Sequence, residues 1–102
     1  MTSFLSSVWR WVTKPAGLDL VEATIRIEEE FGLRISDEDA ARLSTPREVV
    51  DYLMTRIEVR GTWSKDYVHE SVWTILEEEL GIDRKDFNDD SHFIEDMGAY
   101  GI

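Results

Sequence analysis

A chain of 102 residues, 42% of them hydrophobic, suffices for one domain with a modest core and is too apolar to stay unfolded. It has no cysteine, which excludes disulfides, thiolate chemistry and cysteine-ligated zinc. The net charge is −11; Arg10 and Lys14 give the first fourteen residues +2, which leaves −13 on the other eighty-eight. Such an acidic body repels phosphate backbones, so nucleic acid is excluded as a partner and a protein with a basic patch is favoured. No basic start followed by an unbroken apolar run is present, and no stretch approaches a membrane span, so a cytoplasmic location is expected.

Residues 3–13 place Phe4, Leu5, Val8, Trp9, Trp11 and Val12 on one helical arc, with Ser3, Ser6, Ser7, Arg10 and Thr13 on the other. This predicts a short amphipathic helix, closed by Pro15 and Gly17. Packing against the body of the domain is the preferred role, because an exposed double-tryptophan face is sticky. A membrane- or partner-binding helix beside Arg10 and Lys14 is the alternative. A second helix is expected over 17–31, with Leu18, Val21, Ile25 and Phe31 on its inner side and Gly32 just past its end. Ser36 with Asp39 predicts a short helix over 37–42. Thr45-Pro46-Arg47-Glu48 is a stronger start: a threonine N-cap, proline at the first helical position and glutamate at the third. The helix it opens carries Val49, Val50, Leu53 and Ile57 as its stripe.

Residues 60–65 read as a linker. Ser64 opens a further helix with Val68, Val72, Ile75, Leu76 and Leu80 inward, and Gly81 ends it. The stretch 83–92 is polar and loop-like. IEEEFGL at 27–33 and LEEELGI at 76–82 are similar helix ends rather than a duplication. No strand-like alternation occurs, so the fold class is all-α.

Residues 17–53 closely resemble the second, third and fourth helices of acyl carrier proteins. The features that carry this are LDLVE at 18–22, EEEF at 28–31, ISDEDA at 35–40, and Thr45 six residues before Asp51-Tyr52-Leu53. Residues 66–102 resemble the family's first helix and long loop, and SHFIEDMGAYGI is similar to the family's S-F-x-E-D-L-G-A-D-S-L. The order is reversed, so the resemblance implies a circularly permuted four-helix bundle with an extra N-terminal helix. Residues 1–15 would be that helix and 16–102 the bundle, with 16–59 equivalent to helices two to four and 65–102 to helix one and its loop. A linker of about five residues spans up to roughly 17 Å, enough to join the old ends.

In the family a serine at the start of the second helix receives phosphopantetheine through its hydroxyl, held at the helix N-terminus. Gly17 and Gly101 stand at the two positions where that serine is expected. Glycine has no nucleophile, so the resemblance implies that the prosthetic group is missing and carrier chemistry lost. Ser91 is the nearest serine in the C-terminal stretch, ten residues upstream of Gly101. The resemblance also makes Asp19, Glu22, Glu28 and Glu29, with Glu30, the face offered to a basic partner; by charge alone they form a solvated helix face.

Other motifs are weak. Asp86, Asn88 and Asp90 lack the glycine and glutamate of a calcium loop. His69 and His92 are isolated, with no second histidine at zinc spacing, so neither metal nor catalysis is expected. The reading is a non-enzymatic, acyl-carrier-like interaction module of fatty-acid or polyketide metabolism. A carrier with an atypical attachment site or completed by another copy, and a membrane-peripheral protein acting through 3–13, are the alternatives.

Overall fold

The computed structural model describes residues 19–98, and its secondary structure there is helical throughout. The elements are α1 (Asp19–Phe31), α2 (Asp37–Ala41), α3 (Pro46–Thr55), α4 (Ile57–Arg60) and α5 (Lys65–Leu80), followed by a single 3₁₀ turn at Arg84–Asp86. The expected helix at 3–13, Gly17 and Gly101 lie outside the described residues, as does the side chain of Asp19.

Local chemistry sets the helix ends. Gly32 and Gly81 take φ of +66° and +67°, which a side chain disfavours, and so release the chain from α1 and α5. Behind Gly32, the Leu33 amide folds back to the Glu28 carbonyl at 3.2 Å. The hydroxyls of Ser36, Thr45 and Ser64 accept from the amides three residues on, at 3.1, 3.2 and 3.1 Å. Glu48 reaches back one residue beyond the cap, accepting from the Ser44 amide at 2.7 Å rather than from Thr45 as a capping box would.

Helix α5 packs along both α1 and α3. Between them lie Phe31, Val50, Leu53, Val68, Val72 and Leu76, all nearly or wholly shielded from water. The chain beyond α5 closes the remaining side. Phe87 is buried and anchors the stretch expected over 83–92 as a polar loop, and the buried Phe93 and Met97 anchor the residues after it. Two backbone bonds fasten this part of the chain to the start of α3 and the residues just before it: the Arg47 amide donates to the Asp89 carbonyl at 2.8 Å and the Phe93 amide to the Ser44 carbonyl at 2.9 Å.

Three expectations need correction. Val21, expected inside, is 37% exposed and Ile25 half-buried; the buried positions of α1 are Glu22, Ala23, Ile27 and Phe31. Both arcs of α1 carry aliphatic residues, and α5 selects the one that contains Ala23 and Ile27. Ile57 does not extend the α3 stripe. Arg56 adopts an extended backbone (φ −86°, ψ 130°), the helix restarts as α4, and the restart turns Ile57 outward (70% exposed) and Val59 inward (0%). Leu80 lies at the edge of the core, half-buried.

Candidate functional site

Beside the first turns of α1 the bundle opens into a cleft of about 640 Å³, within the usual range for small-ligand pockets. Ala23 and Ile27 of α1, Val49 of α3 and Leu76 of α5 form its floor. Ile35 and Phe93, both buried, close its sides, and Val21 and Ile94 stand at its mouth. Thr24 also lines it, but its hydroxyl donates to the Leu20 carbonyl at 2.8 Å, so it presents little polarity to the hollow. Among the described residues the charged lining groups are Asp37 and Glu95, with His92 Nδ1 3.4 Å from a Glu95 carboxylate oxygen. Polar atoms at the lip over an apolar floor suit an apolar chain or helix face better than a charged metabolite.

The acidic face of α1 is only partly free for a partner. Glu22 is 4% exposed and buried, so it does not offer a solvated carboxylate. It lies one turn before Arg26 on the side of α1 that meets α5, and helical spacing brings it there. Arg26 donates to Glu78 at 2.5 Å and to the buried Glu79 at 3.0 Å. Partial burial opposes the charge on Arg26, but its hydrogen bonds to both glutamates outweigh it and raise its pKa. Glu28 accepts from the Ile35 amide at 2.8 Å and thereby holds the α1–α2 connection. Glu29 is half-buried, and Glu30 accepts from the Tyr67 hydroxyl, which raises the tyrosine's pKa. This tyrosine stacks on Trp63, and both rings meet Phe31 edge-on, so the 60–65 linker is clamped against the end of α1.

The histidines and the acidic loop serve the fold. Asp89 takes His69 Nε2 and the Trp73 indole N–H on one carboxylate oxygen, each at 2.9 Å. Asp90 pairs with Arg47 at 2.8 Å, which lowers its pKa, and Asn88 Oδ1 accepts from the Asp90 amide. Asp89 and Asp90 are therefore engaged by side-chain partners, and the described residues hold no acid–histidine group arranged for a metal. Ser91 is buried, with its hydroxyl accepting from the Asn88 amide at 2.9 Å; it shapes a turn and is not presented for modification.

Sequence reasoning missed the cleft and three polar links. These are Arg26 with Glu79, Asp89 with His69 and Trp73, and the chain from Asp39 through the Tyr52 hydroxyl to Arg56. Only the last pair carries a local signal, since Tyr52 and Arg56 are four apart in the sequence, at the end of α3. Burial first, then acceptance by Asp39, raises the pKa of Tyr52.

Residues 18–53 match the sequence pattern of the phosphopantetheine attachment site family. They are 53% identical over 36 residues to the acyl carrier protein of Buchnera aphidicola subsp. Schizaphis graminum, across 35% of this chain and 46% of the relative. Acyl carrier protein 2 of Pseudomonas aeruginosa is 47% identical over 36 residues, with the same shares. The acyl carrier protein of Rubrobacter xylanophilus is 49% identical over 37, across 36% and 46%. The aligned part thus spans about half the length of the curated relatives. No solved structure matches the chain significantly. Among the described residues, no helix is long and apolar enough to cross a membrane.

Proposed function

We propose, on the premise that residues 18–53 are an acyl-carrier-type segment, that this protein is a non-enzymatic interaction module of fatty-acid or polyketide metabolism whose carrier chemistry is lost. One observation carries the reading: the matched segment begins at Leu18, directly after Gly17, where the attachment serine is expected. Gly101 stands at the other expected position. Among the serines within the described residues, Ser36 and Ser64 cap helices with their hydroxyls and Ser91 is buried in a turn. The permuted reading of the bundle draws support from α5 lying along α1 and α3, and from Phe93 and Met97 closing the side beyond it. The partner is a protein with a basic patch, and the place of action is the cytoplasm.

Intact-mass measurement after incubation with coenzyme A and a phosphopantetheinyl transferase tests the loss of carrier chemistry. No change is expected; a gain of one phosphopantetheinyl group overturns the reading and restores a carrier with an atypical attachment point. The cleft is the observation that favours this second reading, because a carrier has use for an apolar hollow beside the start of α1. For the partner face, Asp19→Lys with Glu29→Lys tests recognition without disturbing the buried Glu22. Unchanged binding to acyltransferases and synthases with basic patches removes α1 as the docking face.

A further inference from the structure

Much of the core forms between two halves of the chain, 19–60 and 65–98. Helices α1 and α3 each lie along α5 and barely along one another. Phe31, Val50 and Leu53 of the first half share a core cluster with Val68, Val72 and Leu76 of the second. Each half thus presents the apolar surface that the other covers.

The link between the halves is short and nearly helical. The Gly61 amide donates to the Ile57 carbonyl at 3.2 Å, and the Thr62 and Trp63 amides donate to the Val59 carbonyl at 3.0 and 2.9 Å. Gly61 itself lies in the right-handed helical region (φ −82°, ψ −8°). Helix-type bonding therefore continues from α4 through Trp63. Ser64 then adopts an extended backbone (φ −74°, ψ 160°), and its hydroxyl accepts from the Tyr67 amide at 3.1 Å. The turn that sends α5 back along α3 is concentrated around Ser64.

We propose that Ser64 is a hinge and that a second copy of this chain is the partner its opening admits. With Ser64 in the helical region, α4 and α5 become one continuous helix of roughly 36 Å. That helix carries residues 65–98 off their own α1 and α3 and onto those of the other copy, which returns the same segment. Every exchanged contact is one that the closed chain already makes, so the core is conserved and chain concentration tips the balance. A net charge of −11 on each copy opposes the exchange at low ionic strength, and salt damps that repulsion. The proposal rests on packing and hinge geometry and not on the carrier-like reading.

Sedimentation of the full chain at about 0.15 M salt, from about 10 µM to about 1 mM, tests the exchange. The expected result is a dimer fraction that grows with concentration. Ser64→Ala removes the cap and favours a helix that runs through, and is expected to raise that fraction several-fold. Gly61→Ala favours the same helix with the cap left in place, and should act in the same direction. Lys65→Pro acts the other way. Proline suits the first position of α5 and an extended residue before it, as Ser64 already is, but breaks a continuous helix. It is expected to suppress the dimer and leave the monomer folded. Both helix-favouring variants remaining monomeric, or Lys65→Pro dimerising as readily as the unaltered chain, overturns the proposal. Cross-linking separates exchange from simple association. Asp51 and Lys65 are exposed and approach to 3.9 Å, and the chain has no cysteine of its own. Asp51→Cys with Lys65→Cys, treated with a short bismaleimide, is expected to join two chains in the dimer fraction. Dimers in which the link stays within one chain overturn the proposal as well.

Discussion

Arg26 and Glu79 show how a single charged side chain can hold two helices together. Glu79 is 2% exposed, on the buried side of α5, while Arg26 reaches it from α1 with part of its guanidinium still in water. Breaking a buried pair by removing one partner leaves a carboxylate without that compensation. Arg26→Ala is therefore expected to cost on the order of 2 kcal/mol, at the discounted end of the buried range because Arg26 is partly solvated; urea unfolding of both proteins measures it. A different balance governs Glu70. It is exposed, and Arg84, which also binds Glu77 at 2.7 Å, holds its pKa below the ordinary 4.5. A carboxylate depressed in the folded state adds stability above its unfolded value and loses it as pH falls through the folded value. Melting temperatures taken against pH are accordingly expected to separate the unaltered protein from Glu70→Gln at neutral pH. The two curves should converge as the pH drops below about 4.5, toward the depressed native value.

Among the helices, the α3–α4 corner is the most informative. Three-and-four spacing carries the stripe through Leu53 and on to Ile57, but Arg56 leaves the helix and the stripe restarts out of phase. Arg56 is held there by its own contacts, donating to the Arg34 carbonyl at 2.9 Å and to the Tyr52 hydroxyl at 2.8 Å. The structure thus predicts opposite outcomes for two neighbours. Val59→Ala should cost about 2 kcal/mol, because the side chain is fully enclosed. Ile57→Ala should fall within about 0.5 kcal/mol of the unaltered protein, as exposed substitutions do. Thermal unfolding of the two variants decides it, and equal losses would mean that the helix runs through. This corner also marks what the sequence reveals. Helix starts and stops are legible at Ser36, Thr45, Ser64, Gly32 and Gly81 because each is written in a few consecutive residues. The inward arc of α1 is not, because Val21 and Ile25 compete with Ala23 and Ile27 and only the placement of α5 settles the choice. The same holds for the site: the glycines at the expected serine positions can be read directly, whereas the cleft exists only once Ile94 and Phe93 arrive from fifty or more residues beyond α2.

The segment that matches the carrier family does not own its surroundings. Phe31 is covered by Trp63 and Tyr67, Leu53 sits against α5, and α3 begins beneath a loop that ends the described chain. A fragment of residues 15–60 is therefore expected to lack cooperative unfolding and to bind a hydrophobic dye that the full chain excludes; a sharp melting transition of the fragment would show that the family-like half stands alone. The amide bonds from Arg47 to Asp89 and from Phe93 to Ser44 carry a consequence for biosynthesis. Ser44 is added to the chain roughly 2–10 s before Phe93 at usual elongation speeds. Val50 and Leu53 stay without their full cover until the end of the chain has also emerged, and a chaperone or protease at the exit tunnel meets them before then.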